Sequence, residues 1–189
     1  HPKTGFKNNV GLPHQMNNDL EFLLGALVSE GSFHNKQILF NNKDMIFYHK
    51  VKQIIISQFP GVQIYEMQIK GNSKELSIYK QKVVRFLKNI GLNETKADGK
   101  EIPFSVLQSQ KEHIKEFLAA LFEGDGGVAY ISDKRHSGKS IHISYDSKSE
   151  KLIQQLKTIL LNFGIISLMP ILDKRSRCFK LYITSVDNI

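Results

Sequence analysis

Two carboxylates, Glu30 and Asp125, occupy the same place in two similar stretches of the sequence and could bind a metal ion together. The stretches are residues 22–33 (FLLGALVSEGSF) and 117–128 (FLAALFEGDGGV), and in each an apolar run ends in one acid followed by glycine. Adjacent like charges disfavour double ionisation, and helix C-termini carry partial negative charge, so such a pair needs a cation. A hard divalent ion such as Mg²⁺ binds carboxylate oxygens and activates water against a phosphodiester.

The two stretches are predicted to be helices that pack side by side. Each is apolar nearly all round, which is typical of a helix buried on more than one side. Small residues lie four apart, Gly25 and Ser29 in the first copy and Ala120 and Gly124 in the second, so the backbones can approach closely. The helices then end together, which brings the free carbonyls at Ser29 and Gly124 to the acids as further metal ligands.

The helix boundaries are also predicted from sequence. Asn18 with Glu21, and Ser109 with Glu112, have the spacing of capping boxes at the two helix starts. Glycine follows each acid, at 31 and 126, and suits the left-handed conformation that ends a helix. Further helices are predicted at 44–59, at 82–90 and after a cap at Ser147 or Ser149, each preceded by a hairpin.

These features resemble the LAGLIDADG family of homing endonucleases over nearly the whole chain. Besides the two signature helices, the resemblance includes residues 100–103 (KEIP) and 143–147 (ISYDS), the latter before a long helix ending in 163–165 (FGI). It implies an α+β fold, a pseudo-twofold pair of αββαββα halves whose two antiparallel sheets form a DNA-binding saddle. The expected parts are an arm at 1–17, a first repeat at 18–108 and a second at 109–189 that lacks its final helix.

The resemblance implies an intron- or intein-encoded enzyme that hydrolyses both DNA strands across the minor groove and leaves 3′ overhangs. Mg²⁺ or Mn²⁺ would be the cofactor, and Ca²⁺ a non-cleaving substitute. Glu30 stands where aspartate is usual. Lys100 matches the family's catalytic lysine before the second signature helix, with Lys96 as the other candidate. The alternative function is binding without cleavage, by a maturase-like RNA-binding protein or a DNA-binding protein.

Composition agrees with a nucleic-acid partner. The 189 residues carry a net charge of +8 with a pI of about 9.5, typical of a protein that binds a polyanion. The single Cys178 excludes an internal disulfide and a cysteine-based zinc site. No apolar stretch reaches the length of a membrane span. We therefore expect an intracellular monomer that does not enter a membrane.

Double-stranded DNA contacts are predicted on the strand faces opposite the apolar side chains and at basic turns. Polar side chains there can read base edges, and lysine and arginine can hold phosphates. The predicted contact residues are His34, Lys36, Gln37, Asn41, Ser77, Tyr79, Lys134, Arg135, Lys139, His142, Ser144, Lys174, Arg175, Arg177, Lys180 and Tyr182.

Overall fold

The computed structural model describes residues 9–34, 36–69, 71–133 and 138–183, with residues 131–133 and 138–140 described by their backbone alone. The first half contains α1 (Asn18–Ser29), β1 (Gly31–His34), β2 (Gln37–Asn42), α2 (Met45–Gln58), β3 (Tyr65–Gln68), β4 (Lys74–Ile78) and α3 (Gln81–Asn89). The linker contains a 3₁₀ turn (Ala97–Gly99) and α4 (Phe104–Leu107). The second half contains α5 (Lys111–Asp125), β5 (Gly126–Asp133), β6 (Gly138–Ser147), α6 (Glu150–Asn162), β7 (Ile171–Asp173) and β8 (Cys178–Ile183).

The two halves have the same sheet topology. The strand orders are β1-β2-β4-β3 and β5-β6-β8-β7, and all neighbouring strands are antiparallel. The first residue of each half's edge strand has an aromatic partner on the next strand, Gly31 opposite Phe40 and Gly126 opposite Tyr145. The predicted α+β fold with two pseudo-twofold halves is therefore confirmed. None of the described helices is long and apolar enough to span a membrane.

The contact between α1 and α5, which we call the helix seam, forms the centre of the molecule. A Cβ added at Gly25 would lie 2.3 Å from the Phe117 carbonyl oxygen and 3.0 Å from Ala120 Cβ. Further along, a Cβ added at Gly124 would lie 2.3 Å from the Ser29 hydroxyl. The predicted close approach of the two helices is thus present, and glycine is required because the backbone of one helix touches the other.

The glycines after the two acids do not adopt the predicted left-handed conformation. Gly126 has φ −82°, and neither Gly126 nor Gly31 is among the glycines with positive φ. A Cβ at Gly31 would instead lie 2.4 Å from the Leu27 carbonyl oxygen, and one at Gly126 would lie 2.4 Å from the Phe122 carbonyl oxygen. The chain passes directly from helix to strand at both points, and only a residue without Cβ fits against the last helical turn.

The predicted capping boxes are also wrong. Asn17 caps α1, accepting a hydrogen bond from the Leu20 amide at 2.9 Å, and α5 follows Gln110 without a side-chain cap. Glu21 cannot reach back to the helix start because it is fully buried. Asn18 contacts the ring of His113 on α5 at 2.5 Å. Tertiary contacts across the helix seam therefore replace the local capping hydrogen bonds.

The remaining elements agree with the sequence in type but differ in extent. Ser149 is the cap of α6, accepting from the Leu152 amide, which decides between the two predicted serines. The last hairpin was expected from about residue 165, but β7 begins only at Ile171, directly after Pro170, which has no amide to donate. Residues 9–16, interpreted as an arm, pack on the first half: Val10 is 1% exposed and its carbonyl accepts from Lys82 Nζ at 2.8 Å.

We expect Gly25→Val to lower the free energy of unfolding by about 3 kcal/mol or more, because the added Cβ overlaps the Phe117 carbonyl and the helices must separate. Urea denaturation would measure the loss. Ala119→Val, on the exposed face of α5, is the control and should cost less than about 1 kcal/mol. Equal losses in the two variants would contradict close packing at the helix seam.

We expect Glu21→Gln to remove a pH dependence of stability. Burial raises the Glu21 pKa to about 7 even though Ser109 lowers it, and neither carboxylate oxygen has a well-formed hydrogen bond within the described residues. The folded state therefore binds a proton more tightly than the unfolded state. Its stability is highest below pH 4.5 and falls as the pH rises towards 7, by roughly 2–3 kcal/mol.

Denaturant titrations of the parent and Glu21→Gln between pH 4.5 and 8 would measure this difference. The variant should be the more stable protein at pH 8, and the two should converge at low pH. A constant difference across the pH range would contradict the assignment of the proton to Glu21.

Candidate metal and nucleic-acid site

The helix seam brings the two predicted acids to adjacent helix ends. Glu30 is the C-terminal cap of α1, and Asp125 is the last residue of α5. Between them, a Cβ added at Gly124 would lie 3.1 Å from Glu30 Cγ, so the Glu30 side chain runs along the last turn of α5. Both acids lie where helix carbonyls concentrate partial negative charge.

Each carboxylate is held by a side chain from its own sheet. Asn42, the last residue of β2, donates from Nδ2 to Glu30 Oε1 at 3.3 Å. Tyr145 on β6 donates from its hydroxyl to Asp125 Oδ2 at 3.5 Å. Since Tyr145 is fully buried, its ring is fixed, and the hydroxyl sets the direction of the Asp125 carboxylate.

The pKa values of both acids are raised above their usual range. For Glu30, burial is the largest cause and the charge of Asp125 is the next, while Lys100 and Lys43 lower the pKa. For Asp125, burial by the surrounding protein is again the largest cause and Asp146 adds to it, against Lys100 and Tyr145. The site therefore holds more negative charge than its lysines offset, and a bound cation would restore the balance.

Lys100 is the cation of this site. Its Nζ donates to the Ser29 carbonyl oxygen at 2.6 Å, and Asp125 and Glu30 both raise its pKa, although burial has the larger effect and lowers it. Lys96, the other sequence candidate, caps the 3₁₀ turn and is exposed.

The segment that carries Lys100 is fixed from the other half of the molecule. Ser149 Oγ donates to the Lys100 carbonyl at 2.5 Å, and Gln155 Oε1 accepts from the Ile102 amide at 2.8 Å. Glu101 forms an ion pair with Lys151. All three partners belong to α6 or its cap. The lysine of the linker is thus positioned by the second half.

The donor set fits a hard divalent cation. Glu30 and Asp125 supply carboxylate oxygens, and the described residues contain no group of three or more His, Cys, Asp or Glu side chains that could hold a metal. Of the two predicted carbonyl ligands, the one at Ser29 accepts from Lys100, and Gly124 provides the space that brings the helices together. The side chain of Ser29 is bound to its own helix, at the carbonyls of Gly25 and Ala26.

The strand register puts the predicted polar contacts on one side of each sheet. In β4, Leu76 and Ile78 are buried towards the helices, so Ser77 and Tyr79 lie on the opposite side. The same alternation gives that side to His34, Gln37 and Asn41 in the first sheet and to His142, Ser144, Lys180 and Tyr182 in the second. Tyr79 packs edge-on against Tyr65 and is 52% exposed, whereas Ser77 is 8% exposed.

The predicted basic contacts differ in their surroundings. Lys36, between β1 and β2, and Lys174, Arg175 and Arg177, between β7 and β8, are exposed. Lys180 is already engaged, since its Nζ lies 3.3 Å from Asp146 and 3.2 Å from Asp173. Lys134 and Arg135 lie outside the described residues, and Lys139 is described only by its backbone in β6.

Sequence reasoning missed the residues that support the site. Tyr145 was assigned to an apolar strand face, and the aromatic ring does lie there, but its hydroxyl reaches Asp125. Asn42 follows a residue that was chosen, and Asp146 follows Tyr145. Gln155 gave no sequence signal, because a glutamine on a helix is usually solvated.

Comparisons with known proteins agree with this geometry. Residues 112–189 match the family model of the LAGLIDADG-like domain. Over 77% of the chain, it is 29% identical to a DNA gyrase polypeptide of Mycobacterium gordonae, and over 80% it is 27% identical to the replication factor C small subunit of Methanocaldococcus jannaschii. The chain spans only 26% and 8% of the length of these curated relatives.

Solved structures show the same fold at low sequence identity. The homing endonuclease I-DmoI in complex with DNA and Mn is 14% identical with a TM-score of 0.60, covering 90% of each chain. Full-length DUF199/WhiA from Thermatoga maritima is also 14% identical with a TM-score of 0.60, covering 94% of this chain and 54% of that one. Residues 112–189 are therefore a LAGLIDADG-like domain, and the chain as a whole has the two-half LAGLIDADG fold.

Proposed function

We propose that the chain is a site-specific, metal-dependent endonuclease that makes a double-strand break in DNA. The observation that carries the proposal is the pair of carboxylates at the ends of α1 and α5 with the Lys100 ammonium bonded to the adjacent Ser29 carbonyl. A solvated pair of helix-end acids would not need a buried lysine fixed from another element. Two acids at a seam between two similar halves suit a reaction on two strands.

Glu30 and Asp125 would hold the metal, Mg²⁺ or Mn²⁺, with Ca²⁺ as a substitute that supports binding only. When bound, such an ion lowers the pKa of a water molecule and offsets charge on the phosphodiester. I-DmoI was solved with DNA in the presence of Mn, Mg or Ca, which supports a divalent ion here.

Lys100 would supply positive charge where the phosphate becomes more negative. A cation already oriented before the reaction stabilises such charge without the cost of reorganising solvent. Its hydrogen bond to Ser29 and the ties of its segment to α6 provide that orientation. Asn42 and Tyr145 would keep the carboxylates directed towards the metal.

Double-stranded DNA would lie along the sheet faces opposite the helices, in contact with both halves at once. The net charge of +8 favours a polyanion, and the exposed basic turns at 36 and 174–177 would contact phosphates. Polar side chains such as His142 and Tyr182 would contact base edges. Lys180 would contribute less than its charge suggests, since two aspartates already surround it.

Binding without cleavage is the second candidate function, because the fold is equally similar to DUF199/WhiA. The retained pair of acids and Lys100 favour cleavage. A supercoiled plasmid library with randomised targets, incubated with Mg²⁺, Mn²⁺, Ca²⁺ or chelator, would decide between the two. Linear product with Mg²⁺ or Mn²⁺ alone supports the endonuclease, whereas retention of plasmid or RNA without any cut would favour the binding protein.

We expect Asp125→Asn and Glu30→Gln each to slow double-strand cleavage at least about 100-fold, since a carboxylate that holds the metal accounts for several kcal/mol. DNA affinity in Ca²⁺ should stay nearly unchanged. Cleavage rates and filter binding on one target measure the two effects. Glu123→Gln, exposed on the same helix as Asp125, is the control and should cleave like the parent. Parental cleavage by either site variant would contradict the two-acid site.

We expect Lys100→Met to slow cleavage of one strand far more than the other, because one lysine serves a site built for two strands. Binding should remain near normal, and nicked plasmid should accumulate. Strand-specific labelling of a target duplex measures the two rates separately. Lys96→Met, at an exposed lysine of the same linker, should have no such effect. Equal slowing of both strands, or none, would refute the role of Lys100.

A further inference from the structure

An apolar groove of about 570 Å³ lies on the second half, where large apolar side chains are left exposed to solvent. It is formed by side chains of α5, α6 and three strands of the second sheet. The apolar residues that line it include Leu118, Phe122, Val128, Ile143, Leu160 and Ile183.

The side chains of the groove belong to the core side of the sheet. The register pairs Val128 with Ile143 and Tyr130 with Ile141, on the same side as the buried Tyr145. Yet Val128 is 62% exposed and Tyr130 is 82% exposed. Large apolar side chains on the core side of a sheet are expected to be covered, so their exposure indicates that a covering element belongs here.

In the first half, the equivalent surface is covered by α3. Phe33 and Ile38 occupy the register positions of Val128 and Ile143, and Ile38 is 1% exposed. The helix α3 packs against β2 and buries Val83, Val84 and Leu87, each exposed by 2% or less. A single amphipathic helix therefore accounts for the difference between the two halves.

We propose that the groove seats an amphipathic helix formed by the polypeptide that follows Ile183. The helix α3 begins at Gln81, three residues after the last residue of β4, and the same interval after β8 leads to Val186. The helix α3 uses nine residues, so residues 186–189 would form the first turn and the chain beyond Ile189 the rest. The curated relatives are several times longer than this chain, so a longer polypeptide is available.

The rim of the groove defines the chemistry of the occupant. Lys115 and Glu123 on α5 stand where α1 has the buried Leu20 and Val28. The bed is therefore narrower than that of α3 and is bounded by one charge of each sign. An occupant with a narrow apolar stripe and polar residues on both sides fits it, and a helix apolar on all sides does not.

The test adds a helix of known sequence to the groove. In the full chain, residues 184–189 are replaced by a copy of residues 79–92, which contain α3 with its flanks. This chimera should melt at least about 5 °C above the parent. The matched control carries asparagine at the copied positions of Val83, Val84 and Leu87 and should melt like the parent. A chimera no more stable than its control would overturn the proposal.

A second measurement does not depend on the folding of a chimera. A fluorescent synthetic peptide of residues 79–92 is titrated into the intact chain, and anisotropy is expected to show saturable binding. Val128→Asp should weaken that binding at least tenfold, whereas Ile46→Asp, at an exposed apolar residue of α2, should not. No binding, or binding insensitive to Val128→Asp, would count against the groove as the seat of a helix.

A second copy of the chain is the competing occupant. Sedimentation of the intact chain at increasing concentration should show a monomer in the absence of DNA. A dimer that Val128→Asp dissociates would overturn the proposal in favour of self-association. None of these measurements uses cleavage, so their failure would leave the proposed endonuclease function intact.

Discussion

The backbone contact between α1 and α5 is the constraint on which the rest of the structure depends. Gly25 and Gly124 leave no room for a side chain, and this brings the two helix ends and their acids together. The same contact buries Glu21 without a well-formed hydrogen bond among the described residues, at the opposite end of α1. The fold thus accepts an unfavourable buried carboxyl at one end of the seam and a concentration of negative charge at the other.

Charge is distributed unevenly over the molecule despite the net excess of lysine and arginine. At the helix ends, Lys100 faces Glu30 and Asp125, with Asp146 close enough to raise the Asp125 pKa further. On the second sheet, Lys180 is held between two aspartates. Positive charge available to a partner therefore lies at the turns and edges, while the centre is acidic. This arrangement attracts a polyanion to the rim and a small cation to the middle.

The fold and the two central acids could be predicted because their signals are local or repeated. Two copies of one apolar stretch with small residues four apart specify a close helix pair, and alternating apolar residues such as Leu76 and Ile78 specify a sheet face. The resemblance added Lys100. The details that failed depend on long-range contacts: Asn18 and Glu21 fit a capping box as local sequence, but the packing of the seam turns both away from that role. Ser149 and Gln155 lie about fifty residues from the linker they hold, and no local pattern connects them.

The ties between α6 and the linker have a consequence for how such proteins can be recombined. The lysine belongs to the linker, but its hold comes from Ser149, Lys151 and Gln155 of the second half. A hybrid that joins this first half to the second half of a related protein would keep Lys100 and lose the groups that aim it. The heritable unit of the site is then the linker together with α6, and domain exchange between relatives must move both as one piece.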